Sequence, residues 1–166
     1  MVNFDNAAIG ETIIQPVVNY DNTGQYPTGW SMESWNCCPS GQSHSSKNIK
    51  LAPGITGIPN SCSADGTNIN VTMSYNGETS TLVAKQASRT FKYIDATLEE
   101  YGETSTACDG FNSKVFNFTR MKITDATGSA YTPRWEIQDN AAVKCKGSTI
   151  KYDDFNIGII GNGESS

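Results

Sequence analysis

The sequence predicts an all-β fold, a two-sheet antiparallel β-sandwich. Three observations lead there. Apolar and polar residues alternate with period two: Ile69, Val71, Met73 and Tyr75 are set against Asn68, Asn70, Thr72 and Ser74. Turn signals separate such stretches, at Asp21-Asn22-Thr23-Gly24, Ala52-Pro53-Gly54, Asp65-Gly66, Asn76-Gly77 and Ala126-Thr127-Gly128. No stretch carries a convincing helical period, and 96–103, the best candidate, reads better as strand. Many evenly spaced strands in 166 residues, with no repeat or linker, make one domain spanning 1–166.

The elements follow in order. Near 12–20, Ile13, Gln15 and Val17 share one face, and Ile14, Pro16 and Val18 the other. Pro16 has no N–H for a ladder, so a sheet edge or bulge is expected there. A strand over 29–37 puts Glu33 and Trp35 on one face, Trp30 and Met32 on the other. A strand at 47–52 precedes the alternating run that ends at Tyr75. Asn76-Gly77 then reads as a tight hairpin into 80–86. From about Arg89 to Tyr101, the face with Ile94, Ala96 and Leu98 suits a core. The opposite face carries Tyr93, Asp95, Glu99 and Tyr101. In 114–124 the apolar register shifts from Phe116 and Phe118 to Met121 and Ile123, which predicts a β-bulge near Thr119. Further strands are expected at 133–138 and 149–160.

Composition narrows the function. The chain is 37% hydrophobic, long enough and apolar enough for a core. Its 12 basic and 17 acidic residues give a net charge of −5, with no Lys/Arg cluster. A nucleic-acid groove and attachment to an anionic membrane both need such a cluster, so neither partner is expected. No apolar run approaches the ~20 residues of a bilayer-spanning helix.

The five cysteines are Cys37, Cys38, Cys62, Cys108 and Cys145. They lack zinc-site spacing, and the single His44 lies in a Ser/Gly-rich stretch. Disulfides fit better: Cys108 with Cys145, and Cys62 with Cys37 or Cys38, leaving one thiol over. Two N-glycosylation sequons, Asn70-Val71-Thr72 and Asn117-Phe118-Thr119, also favour a secreted protein. No signal peptide opens the chain, so a leader has been removed or the protein is cytosolic. Oxygen-rich loops at Asp21-Asn22 and Asp153-Asp154 lack an EF-hand spacing, so no metal is expected. No cofactor motif occurs, and a nucleophile triad would need His44, which has no supporting motif.

What remains is carboxylate and amide chemistry in three segments. Gln15 stands among apolar residues of a strand, where a buried amide needs partners. Glu33 and Trp35 form a carboxylate–indole pair on one strand face. Tyr93, Asp95, Glu99 and Tyr101 make an acidic, aromatic sheet face suited to a binding groove.

In content and order these segments resemble the fungal glutamic peptidase family. The family's Ile-Leu-Gln-Thr-Gly strand is matched by Ile13-Ile14-Gln15-Pro16-Val17. Its Tyr-Glu-Trp segment is matched by Met32-Glu33-Ser34-Trp35. The strand Ala-Glu-Trp-Ile-Val-Glu is matched by Asp95-Ala96-Thr97-Leu98-Glu99, and Phe-Gly-x-Val-x-Phe by the segment Phe111–Phe118. Pro16-Val17 replace the family's Thr-Gly, and its upstream Trp-Val-Gly-Ile-Asp-Gly motif has no counterpart.

The resemblance implies a concanavalin-A-like, jelly-roll-like sandwich and an acid endopeptidase. It implies Glu99 as the general base that takes a proton from water and later protonates the leaving amine. It implies Gln15 as the group that holds that water and donates its NH2 to the oxyanion, a contact worth ~3–4 kcal/mol. Glu33, Trp35, Tyr93, Asp95 and Tyr101 would then line the groove for a polypeptide. The alternative is a non-catalytic module binding an extended glycan through Trp35, Tyr93 and Tyr101, since one sandwich serves both roles. A structural secreted domain is the third reading.

Overall fold

Strand forms where the alternation is clear, and strand is the only regular structure among the described residues. The computed structural model describes residues 2–5, 13–21, 28–37, 44–85, 93–96, 115–125, 127–137, 145–146, 149–160 and 164–165. The chain divides into two compact units, residues 1–97 and 98–166. The first holds β1 (Val2–Asp5), β2 (Ile13–Asp21), β3 (Gly29–Cys37), β4 (His44–Ser45), β5 (Ile49–Lys50), β6 (Asn60–Ala64), β7 (Asn68–Tyr75), β8 (Glu78–Lys85) and β9 (Tyr93–Ala96). The second holds β10 (Val115–Phe118), β11 (Ile123–Thr124), β12 (Ala130–Tyr131), β13 (Cys145–Lys146), β14 (Thr149–Tyr152), β15 (Ile157–Ile160) and β16 (Glu164–Ser165).

In the first unit two antiparallel sheets face each other. One runs β4-β3-β2-β1-β9, with β5 also on β3; the other runs β6-β7-β8. The alternation of β7 explains the packing: Ile69, Val71 and Met73 are buried, and Asn68, Asn70 and Thr72 lie on the other face. Ile14 packs with Ile69, Val71 and Ala84 across the interface. Met32, Ile49 and Leu51 pack with Met73. Each such fully buried side chain contributes about 1.5–3 kcal/mol.

A serine clasp joins the sheets beside this core. The Ser34 N–H donates to Ser46 Oγ at 3.0 Å and Ser80 Oγ at 3.2 Å. Ser34 Oγ donates to the Ser80 carbonyl at 3.2 Å, and the Ser46 and Ser80 hydroxyls bond each other. Ser34 and Ser80 are fully buried, so these bonds offset their desolvation.

Hairpin β7–β8 turns at Asn76-Gly77, as the dipeptide predicts. Asn76 (φ 49°) and Gly77 (φ 79°) both sit in the left-handed region, and Tyr75 stands opposite Glu78.

The second unit has a sheet β10-β15-β14 and the pairs β11-β12 and β13-β16. Here several expectations change. The segment 114–124 is two strands, not one bulged strand. After Phe118 the chain leaves the sheet: Arg120 is left-handed (φ 56°). Its N–H donates to Asn156 Oδ1 at 3.1 Å, and the Met121 N–H to the Phe155 carbonyl at 3.0 Å. These outside partners carry the register shift. Residues 149–160 form a hairpin, because Asp153 accepts N–H bonds from Phe155 and Asn156, both at 2.8 Å. Residues 133–137 are not strand; Ala130–Tyr131 pairs with β11 instead. In the first unit, strand at 47–52 is confined to Ile49–Lys50.

The cysteines also depart from expectation. Cys62 is a free thiol, so its anticipated bond to Cys37 or Cys38 is not made. Alternation explains why: Cys62 stands opposite Val71 and packs against the Ile14 cluster, a hydrophobic position. Burial pushes its thiol up to about 12. Cys37 is disulfide-bonded. Cys38 and Cys108 lie outside the described residues, and Cys145 stands in β13 opposite Ser165.

Three exposed aspartates close turns by accepting N–H or O–H bonds. Asp65 is held below the usual carboxylate value first by the Asn68 N–H. For Asp125 the leading donor is the Thr127 hydroxyl, and for Asp153 the Phe155 N–H. A lowered folded pKa adds stability that is present above the ordinary carboxylate pKa of about 3.9 and lost as pH falls through the lowered value.

Two outcomes follow from these turns. Gly77→Ala puts a Cβ in the left-handed region and should cost about 1–2 kcal/mol, read from the urea midpoint. Asp125→Ala should lower the melting temperature at pH 7, with the gap closing below about pH 4. A gap independent of pH would exclude the carboxylate as its source.

Candidate functional site: the Gln15 face of the large sheet

The β2–β3 ladder arranges the candidate residues. Gln15 stands opposite Trp35, Val17 opposite Glu33, and Asn19 opposite Ser31. All six therefore share one face, as the alternation predicts, and Ile14, Met32 and Ser34 face the second sheet. Strands β1 and β9 extend the sheet. Phe4 pairs with both Ile14 and Ile94. Asn3 pairs with Asp95 in the β1–β9 ladder. Tyr93 stands opposite Asp5. At a strand spacing of ~4.8 Å, the backbones of β2 and β9 lie about 10 Å apart.

The ladder from β1 to β2 is short. Phe4↔Ile14 is its one described register pair, next to Pro16, which has no N–H to extend it. The sheet edge or bulge expected at Pro16 is not seen among the described strands: β2 lies between β1 and β3, and Pro16 stands in unbroken register opposite Ser34.

Gln15 is only 8% exposed, yet its Oε1 is buried and accepts no hydrogen bond among the described residues. It is therefore not a satisfied structural amide. Such an acceptor costs about 1–3 kcal/mol, and a native chain keeps few of them. The amide is a compact two-ended group: Oε1 can accept a hydrogen bond from a water, and the NH2 can donate to an oxyanion.

Glu33 is 2% exposed, and its Oε1 accepts a bond from Asn19 Nδ2 at 3.0 Å. Asn19 is the residue that sequence reasoning missed. The signal was present, since Asn19 alternates with Gln15 and Val17, but no motif marks it. Ser31, on the same face, accepts from Asn48 Nδ2 at 3.1 Å.

The structure thus brings Gln15, Glu33 and Trp35 onto one sheet face, and Tyr93 and Asp95 stand in β9, two strands from β2 in the same sheet. Glu99 and Tyr101 lie outside the described residues. His44 is exposed on β4 opposite Asn36. Among the described residues no three His, Cys, Asp or Glu side chains are grouped to hold a metal. The Asp153 carboxylate is engaged in its own turn.

An all-β fold of antiparallel sheets is one that a glutamic peptidase also adopts. The solved structure that shows it is aspergilloglutamic peptidase from Aspergillus niger. It is similar with a TM-score of 0.62 and 14% sequence identity, over 96% of this chain and 95% of that one. At that identity the likeness is one of fold. No protein-family model and no curated protein matches the sequence.

The orphaned amide yields a test by stability alone. Gln15→Leu removes a buried, unpaired acceptor and should leave urea stability equal or higher by about 1 kcal/mol. A loss of more than about 1 kcal/mol would mark Gln15 as structural. Asn19→Ala should cost about 1–3 kcal/mol, because it strips the donor from a buried carboxyl group.

Proposed function

We propose that this chain is a glutamic-peptidase-like hydrolase that cleaves peptide bonds in acid. The observation that carries the reading is the Gln15 amide, buried with a carbonyl oxygen unpaired among the described residues, on a face shared with Glu33 and Trp35. The fold likeness to aspergilloglutamic peptidase supports it.

In this reading Gln15 holds the attacking water through Oε1, and Glu99 takes its proton. The water oxygen adds to the scissile carbonyl carbon, and the carbonyl oxygen becomes an oxyanion that accepts from the Gln15 NH2. Glu99 then returns the proton to the amine as the C–N bond breaks. Glu33, fixed by Asn19, and Trp35 border the position of the substrate backbone. Asp95, Tyr93 and Tyr101 bind flanking side chains. The substrate is a polypeptide, and the chain works after export. The disulfide at Cys37 supports an oxidising compartment.

The test is cleavage of a denatured protein substrate near the carboxylate pKa of about 4. Glu99→Gln should abolish cleavage, and Gln15→Ala should lower kcat by about 10²–10³. Both should melt within a few degrees of the parent. Equal activity in parent and Glu99→Gln would refute the reading, as would a folded parent with no activity from pH 2 to 5.

A further inference from the structure

The two sequons stand in different structural settings. Asn70 is half-buried in β7, the central strand of its sheet, opposite Ser63 on one side and Val83 on the other. Its side chain helps hold the Asp65 carboxyl below its usual value. Asn117 is exposed on β10, which among the described strands pairs with β15 alone. It stands opposite Gly158, and a Cβ at that glycine would come within 3.1 Å of Asn117 Oδ1. The missing side chain leaves bare backbone beside the amide. On the same face two residues earlier lies Val115, 55% exposed. Thr119, which completes the sequon, is exposed beyond the strand end, just before left-handed Arg120.

Folding order separates the sites further. Both partners of Asn70 belong to adjacent strands of one up-and-down meander, closed by the tight Asp65-Gly66 and Asn76-Gly77 turns. Such local hairpins form in about 1–10 μs. The partner of Asn117, Gly158, comes 41 residues later in the sequence, so its strand waits unpaired until that segment is available. A transferase that acts on extended, unpaired chain has far longer access to Asn117.

From this we infer that Asn117 is the N-glycan acceptor of the chain and that Asn70 stays unmodified. The donor is an oligosaccharide linked through a diphosphate to a polyisoprenoid lipid. Asn117 Nδ2 forms a bond to the anomeric carbon as the bond from that carbon to the lipid diphosphate breaks. The lipid diphosphate leaves with the electron pair, and the amide gives up one proton to a base of the transferase. The first sugar then projects over Gly158 and shields Val115. At Asn70 the same sugar would displace the Asp65 contact and crowd Ser63 and Val83.

The test sends the chain behind a leader peptide through the secretory pathway of a eukaryotic host. The purified protein is deglycosylated with peptide-N-glycosidase in heavy-oxygen water, which converts each former acceptor to labelled Asp, and is mapped by mass. Label is expected at residue 117 alone. Asn117→Gln and Thr119→Ala should each abolish the mobility shift on deglycosylation, and Asn70→Gln should leave it whole. Thr119→Ala keeps the Asn117 side chain over Gly158, so it separates loss of the sequon from loss of packing. Secreted protein without label at 117, or with equal label at 70, would overturn the inference.

Discussion

The first unit depends on one constraint: the β2–β3 ladder is buried on both faces. Its register runs unbroken from Ile13↔Cys37 to Asp21↔Gly29. On one side Ile14, Met32 and Ser34 are fully buried. On the other, Val17, Glu33 and Ser31 are buried as well. A two-sided burial fixes register strongly, because a slip of one residue would exchange every side chain between the faces. It also leaves each polar side chain with a demand to be met inside the protein.

Most of those demands are met locally. Ser34 reaches Ser46 and Ser80, Glu33 receives Asn19, and Ser31 receives Asn48. Gln15, Asn36 and Asn48 are the contrast, each with a buried side-chain carbonyl oxygen that accepts nothing among the described residues. An apolar residue would have packed there at lower cost. Sites that bind or react are where a fold tolerates such a cost. The rigid ladder beneath also matters, since an amide that polarises a water must hold its direction. The same face carries Asn19, a residue without a motif, and that is the usual position of a residue that acts by holding another.

Local chemistry was the most legible part of the sequence. Asn76-Gly77 dictated its hairpin, because both residues tolerate positive φ. The alternation in β2, β3 and β7 assigned faces that the register reproduces, including Glu33 with Trp35. Where the partner lay far off in sequence, the reading failed. The break after Phe118 is held by Asn156 and Phe155, and nothing between 114 and 124 announces them. Cys62 shows the same limit: pairing cysteines by count ignores that its strand position points it at Ile14 and Val71.

By itself, the sequence determined the all-β class, the faces of the alternating strands, the tight turns and the residue types available for chemistry. These follow from short-range sterics and period-two patterning, which need no knowledge of distant chain. The tertiary structure alone decided that Gln15 Oε1 is buried without a partner among the described residues, that Asn19 is the donor to Glu33, that Cys62 is a core thiol, and that Asn117 rather than Asn70 is open. Each of these depends on which strand lies alongside, and strand pairing is set by burial summed over the whole sheet rather than by any local segment.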